Sequence, residues 1–233
     1  MSQTFDIALL NAASVAGEAV LTCLEERNAP IGQLTVLASD GDAGQTVIFR
    51  GRRLRANPLS SFDFSAVTLC IALESVTPAV RERIRAAGCA LIETHGEAPA
   101  AVAALNPLSV AAGVRSPLPA VVAVAPVLAA LHRLAPLAQV SITACLAASG
   151  RGQAGVEELA KQTAQLLNAR PVEPVLFSQQ LAFNLLAATE TVEEDGYTAT
   201  ERQCMTDLQH VLNEPALSID VTCVQAPVFF GDS

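Results

Sequence analysis

The chain has 233 residues, 51% of them hydrophobic, and a formal net charge of −9, enough length and apolar content for one large domain or two ordinary ones that fold autonomously. The acidic balance excludes nucleic acid as an expected partner, since phosphate binding needs a sizeable positive face and the one arginine-rich stretch is 50–55. The longest apolar run, 117–131, is shorter than the roughly 20 residues that span a bilayer and contains Pro119 and Pro126, so it is read as a buried helix and no membrane contact is expected.

In chain order, residues 1–6 lack the basic and apolar segments of a secretory signal, so a cytoplasmic protein is expected. Residues 5–10 form a short apolar run of buried-strand type, and 15–26 follow with helical spacing of Val15, Ala19, Val20 and Cys23. A second strand is predicted at 34–38, a solvated strand or hairpin at 50–55, a strand at 67–73, a helix at 76–87 with Pro78 in its first turn, and a strand at 90–93. Strands alternating with helices imply a parallel sheet covered on both faces. The first half is therefore α/β and Rossmann-like.

In such a sheet a dinucleotide pyrophosphate sits at the first strand-to-helix turn, which here reads Asn11-Ala12-Ala13-Ser14-Val15-Ala16-Gly17. Asn11 tolerates a left-handed backbone, so a tight turn can persist. Ser14 is read as the N-cap of the following helix in preference to a phosphate contact. Asp40 lies either where an acidic ribose ligand would be or in a turn among Ser39, Gly41 and Asp42, and the turn is preferred.

The second half continues with a strand at 141–148, the loop Ser149-Gly150-Arg151-Gly152, and an amphipathic helix at 156–168. Thr198-Ala199-Thr200-Glu201 is a capping box, which accounts for Glu201 without a ligand, and a strand is expected at 223–231. The six cysteines include no Cys-x-x-Cys pair and are read as reduced and structural. Cys145 and Cys223 lie in apolar strand patterns with no histidine near in sequence, which argues against either as a nucleophile. The three histidines show no ligand spacing, and no metal site is expected.

Ser116-Pro117-Leu118-Pro119-Ala120-Val121 resembles the Ser-Pro-Asn-Cys-Ser-Thr segment of aspartate-semialdehyde dehydrogenases. The turn at 11–17 is similar to that family's Gly-x-x-Gly-x-x-Gly, with Gly17 alone kept. Leu24 to Pro30, Leu37-Ala38-Ser39, Ser149 to Gly152, Ala182 to Leu186, Gly196-Tyr197-Thr198 and Cys223 to Gly231 extend the resemblance over nearly the whole chain, most closely to the Usg-type paralogues. It implies a Rossmann-like NAD(P)-binding-type domain at 1–118 and an α+β dimerisation and catalytic-type domain at 119–233 that is incomplete at its C-terminus.

The same resemblance places the family's functional positions on residues unsuited to the chemistry. The nucleophilic cysteine falls on Pro119, the acyl-orienting glutamine on Leu146 and the acid-base histidine on Asp232. The substrate-binding arginine falls on Gln225 and the phosphate-binding lysine on Gln203, while Glu201 is retained. A thioacyl intermediate needs an ionisable thiol, a carboxylate is poorly matched to proton transfer at neutral pH, and glutamine has no charged fork. The expectation is a catalytically inactive homologue acting as a homodimeric binding or scaffold protein, with an unidentified protein partner allowed for. No cofactor is expected, and NADP is the candidate if one binds, weakly, at Asn11, Ser14 and Gly17. The alternative is a working NADP-dependent aspartate-semialdehyde dehydrogenase, which would need a displaced nucleophile.

Overall fold

The computed structural model describes residues 4–96, 100–102, 105, 113–187 and 190–232; residues 1–3, read above for a signal segment, lie outside them. The chain divides into two compact units, Met1–Ala103 with Pro107–Ser116, and Ala104–Asn106 with Pro117–Ser233.

Unit 1 is built on a sheet of six parallel strands. Its elements are β1 (Phe5–Leu10), α1 (Val15–Glu26), β2 (Ile31–Ala38), β3 (Thr46–Phe49), β4 (Arg52–Arg55), β5 (Asn57–Pro58), β6 (Leu69–Ala72), α2 (Pro78–Ala86), β7 (Ala90–Glu93) and β8 (Val114–Arg115). The sheet order is β5-β2-β1-β6-β7-β8, so the chain winds one way from β1 to β2 and the other way to β6. Side chains alternate across a strand, and β1 shows the result: Ile7 and Leu9 enter a core with Leu21 of α1, whereas Ala8 and Leu10 enter another with Ile84 of α2. Both faces of the sheet are covered.

The arginine-rich stretch is the second arm of a hairpin. β3 and β4 pair antiparallel around Arg50 and Gly51, both at positive φ, 49° and 71°, the backbone twist that two-residue hairpins favour. Arg50 accepts this conformation where its backbone N–H donates to the Glu25 carboxylate and its guanidinium donates to Ala29 O at 2.7 Å.

Unit 2 contains α3 (Pro119–Leu134), β9 (Gln139–Leu146), α4 (Gly152–Leu167), β10 (Leu186–Ala187), α5 (Ala199–Leu212) and β11 (Ser218–Gln225), with a three-stranded sheet in the order β10-β11-β9. β11 and β9 run parallel in continuous register from Ser218↔Gln139 to Gln225↔Leu146. Alternate residues Ile219, Val221, Cys223 and Gln225 are buried, as are Cys204, Leu208 and Val211 of α5, which packs on β11. Carbonyl and carboxylate groups of α4 hold the segment that precedes β10. Glu158 accepts from Val175 N and Leu176 N at 3.0 and 2.6 Å, and Gln162 Oε1 accepts from Leu181 N and Ala182 N at 2.8 and 3.1 Å.

Two expectations are corrected here. The apolar run at 117–131 does form a helix, but not a buried one: α3 buries only Val121 and Ala125, while Val127, Leu131 and Leu134 are 60, 47 and 85% exposed. A helix apolar all round carries no sequence signal for which face is covered. The strand expected at 223–231 ends at Gln225, because Pro227 has no N–H for a ladder. The following carbonyls bond elsewhere, Val228 O accepting from Ala148 N at 2.8 Å and Phe229 O from Ser149 N at 3.0 Å. Among the described residues no helix is long and apolar enough to cross a membrane.

Candidate functional site

In unit 1 the turn after β1 adopts the conformation its residues imply. Asn11 has φ 62° and donates its N–H to Leu37 O at 3.0 Å, which ties the turn to the end of β2. Ser14 caps α1: its Oγ donates to Asn11 O at 2.8 Å and accepts from Gly17 N at 3.1 Å. The helix-start amide that could have met a phosphate oxygen is therefore already bonded. Gly17 is buried because a Cβ there would lie 2.3 Å from Ala12 O; the surviving glycine allows turn and helix to touch.

A cavity of about 240 Å³ adjoins this turn, lined among others by Asn11, Ser14, Asp42, Gln45 and Glu74. Asp40 is not one of its walls. It is exposed in a turn and accepts from Ser60 N at 3.4 Å, as a turn residue should. The acidic groups at the cavity are instead Asp42, held by Ser39 Oγ at 2.8 Å and Gln45 Nε2 at 3.0 Å, and Glu74, whose carboxyl is raised by burial and then by the charge of Asp42. Sequence reasoning passed over Glu74. Its only signal is its place two residues beyond β6, the strand beside β1.

In unit 2, Leu146, Gln225, Asp232 and Glu201 are linked through β9 and β11. Gln225 is 2% exposed, and its Nε2 donates to Leu146 O at 2.7 Å, beside the Ala226 N to Leu146 O bond of 2.9 Å. Asp232 accepts from Ala147 N at 2.8 Å through Oδ1. Glu201 completes its capping box through Thr198 N at 2.8 Å and Thr198 Oγ1 at 2.9 Å, and its other oxygen accepts from Cys223 N at 2.8 Å. Gln203 is turned to its own helix, donating to Asp207 at 2.7 Å. Pro119 belongs to a different element, opening α3 after Leu118, and lacks an N–H to donate.

Cys223 and Cys204 are both buried and act on each other's titration. The thiol of Cys204 is pushed up by donating to Cys223 and by burial, while that of Cys223 is lowered by accepting this bond. Cys145 is half-buried on β9. Gln225, Asp232, Glu201 and Gln203 thus each satisfy a backbone or side-chain group of the fold, and chemically the arrangement offers carboxylates and amides.

Residues 128–233 match the family model described as the semialdehyde dehydrogenase dimerisation domain. A USG-1 protein homolog of Azotobacter vinelandii is 43% identical over 100% of this chain and 73% of its own length. The aspartate-semialdehyde dehydrogenase of Vibrio mimicus is 32% identical over 99% of this chain and 77% of its own. Among solved structures, aspartate semialdehyde dehydrogenase II of Vibrio cholerae complexed with ASA aligns with a TM-score of 0.89 at 30% identity, over 99% of this chain and 73% of that one.

Proposed function

The chain belongs to the aspartate-semialdehyde dehydrogenase family, and within it we propose a non-catalytic, homodimeric binding or scaffold protein, with a nucleotide-binding-type domain at 1–118 and a dimerisation-type domain at 119–233. The observation that carries this reading is that the residues at the family's chemical positions are engaged in holding the fold. Gln225 and Asp232 fasten the end of β9 to the segment after β11, Gln203 bonds along its own helix, and Pro119 starts α3 with a ring that has no ionisable group. Without a thiolate there is no thioester, and without a thioester a hydride has no acyl group to reduce. The NADP-dependent enzyme remains the alternative, and it needs one of the cysteines to take over as nucleophile. The burial of Cys223 weighs against it.

The purified chain, assayed for aspartate-semialdehyde-dependent reduction of NADP with phosphate present, is expected to give the rate of a buffer blank. Turnover above the blank that disappears on replacing a single cysteine would overturn the proposal.

Self-association rests on a separate basis. The dimerisation-domain match covers most of unit 2, and that unit exposes Leu167, Val175, Phe183 and Leu185 at 74, 83, 68 and 60%. Apolar surface beyond a few hundred Å² tends to be covered by association. Light scattering on freshly purified protein should return a dimer at micromolar concentration; a monodisperse monomer would sink this part of the proposal.

A further inference from the structure

The hairpin of β3 and β4 is put to no use by the proposed function, and its two faces differ. Opposite residues of an antiparallel pair share a face, and the register sets Thr46 against Arg55, Val47 against Leu54, Ile48 against Arg53 and Phe49 against Arg52. Val47 and Phe49 are buried in a core of unit 1, with Leu54 packed against it. The other face turns to solvent: Thr46, Arg53 and Arg55 are exposed, and so is Ile48, at 65%.

The arginines of the hairpin divide as its faces do. Arg50 belongs to the fold, bonded to Glu25 and Ala29 with its guanidinium 5.1 Å from the centre of the Phe49 ring. Elsewhere Arg81, Arg85 and Arg202 each meet a carboxylate within 3.1 Å, whereas among the described residues Arg52, Arg53 and Arg55 form no ion pair. A chain of net charge −9 thus gathers uncompensated guanidinium groups on one short hairpin rather than pairing them with its own carboxylates. Arg53 and Arg55 stand two residues apart on one strand, about 7 Å, which is the spacing of alternate side chains in any other extended segment.

We propose that the outer face of this hairpin, Ile48, Arg53 and Arg55 with Arg52 at its rim, docks an extended acidic segment of a partner protein that presents two carboxylates and an apolar side chain together. Complementary charge selects the carboxylates, each guanidinium taking one through its planar fork. Ile48, directly across from Arg53, covers the apolar side chain. A nucleic acid fits less well, because strands of four residues reach only about 13 Å and a longer polyanion runs onto the acidic remainder of the chain. The contact gives the proposed binding protein a partner of definite chemistry and rests on that reading, while a binding titration reads the hairpin separately from catalysis.

The full chain is titrated by fluorescence anisotropy with a labelled, end-blocked peptide Ser-Glu-Ser-Glu-Ser-Val-Ser at about 0.05 M salt, where exposed charges are screened little. The peptide is expected to bind with a Kd below about 1 mM, and to bind at least about tenfold more weakly at about 0.5 M salt. Each variant is first checked for an unchanged thermal melt. Arg53→Gln/Arg55→Gln should weaken binding at least about tenfold, Arg53→Lys/Arg55→Lys, which keeps the charge and loses the fork, by about threefold, and Ile48→Ser by about threefold. No binding up to about 1 mM, or a glutamine double variant that binds as well as the unmodified chain, would overturn the docking surface. Equal or tighter binding of a single-stranded DNA oligonucleotide of the same charge would overturn the assignment to a carboxylate-bearing protein segment. Turnover in the aspartate-semialdehyde assay, by contrast, would sink the non-catalytic reading and leave these titrations as they stand.

Discussion

Replacing Glu201 by alanine is expected to cost about 3–5 kcal/mol of stability, because it leaves buried donors without partners. The side chain, 8% exposed, bonds Thr198 N and Thr198 Oγ1 with one oxygen and Cys223 N with the other, so it caps α5 and joins that helix to the middle strand of the sheet. Glu201→Gln keeps a single acceptor oxygen and turns an NH₂ toward a donor, so about half of the loss should remain. Burial works to raise the carboxyl, but the bonds from Cys223 and Thr198 outweigh it and hold the group below its ordinary value. A depressed folded-state pKa gives stability that is present above the unfolded carboxylate range and lost as pH falls through the folded value. Urea unfolding at neutral pH should show the alanine loss, and at acid pH below the carboxylate range the gap between wild type and variant should narrow. A Glu201→Ala variant within about 1 kcal/mol of wild type at neutral pH would show that the strand contact is dispensable.

Glu201 also marks how far the sequence could be read. Its capping box was legible because both partners lie three residues apart; the bond to Cys223 was not, because it depends on how α5 packs on β11. The same division runs through unit 1. Left-handed Asn11 and the Ser14 cap follow from local stereochemistry, and the winding of the parallel sheet follows from alternating apolar runs. Asp42 and Glu74 meet at the cavity only because β2 and β6 both flank β1, a juxtaposition that no single stretch of sequence expresses. The apolar run of α3 carries no signal for burial since every face is alike, whereas the strand expected at 223–231 stops short at Pro227, which has no N–H for a ladder. The expectation of lost chemistry comes only from the family resemblance, because a proline at a helix start and a glutamine in a strand are otherwise unremarkable.

The surviving glycine of the first turn should prove structural when replaced, and a second glycine should behave in the same way. A Cβ at Gly17 would sit 2.3 Å from Ala12 O and 2.4 Å from Ala12 C, and a Cβ at Gly155 would sit 2.2 Å from Ala148 O and 2.8 Å from Arg151 Cβ. In both units, then, the first turn of a helix is pressed against the backbone that leads into it, and since the contacts are backbone carbonyls they cannot swing aside as a flexible side chain would. Alanine favours a helix over glycine by about 1 kcal/mol, but overpacking of this kind costs about 1–3 kcal/mol and more when backbone must move. The clash should win, leaving Gly17→Ala and Gly155→Ala each destabilised by about 2 kcal/mol. Gly41, whose Cβ would meet nothing within 4 Å, serves as the control, and Gly41→Ala should stay within about 0.5 kcal/mol of wild type. Chemical denaturation of the three variants decides the matter. If Gly17→Ala proved as stable as the control, close packing could not account for this glycine, and its retention would have to be explained by a ligand approaching the turn.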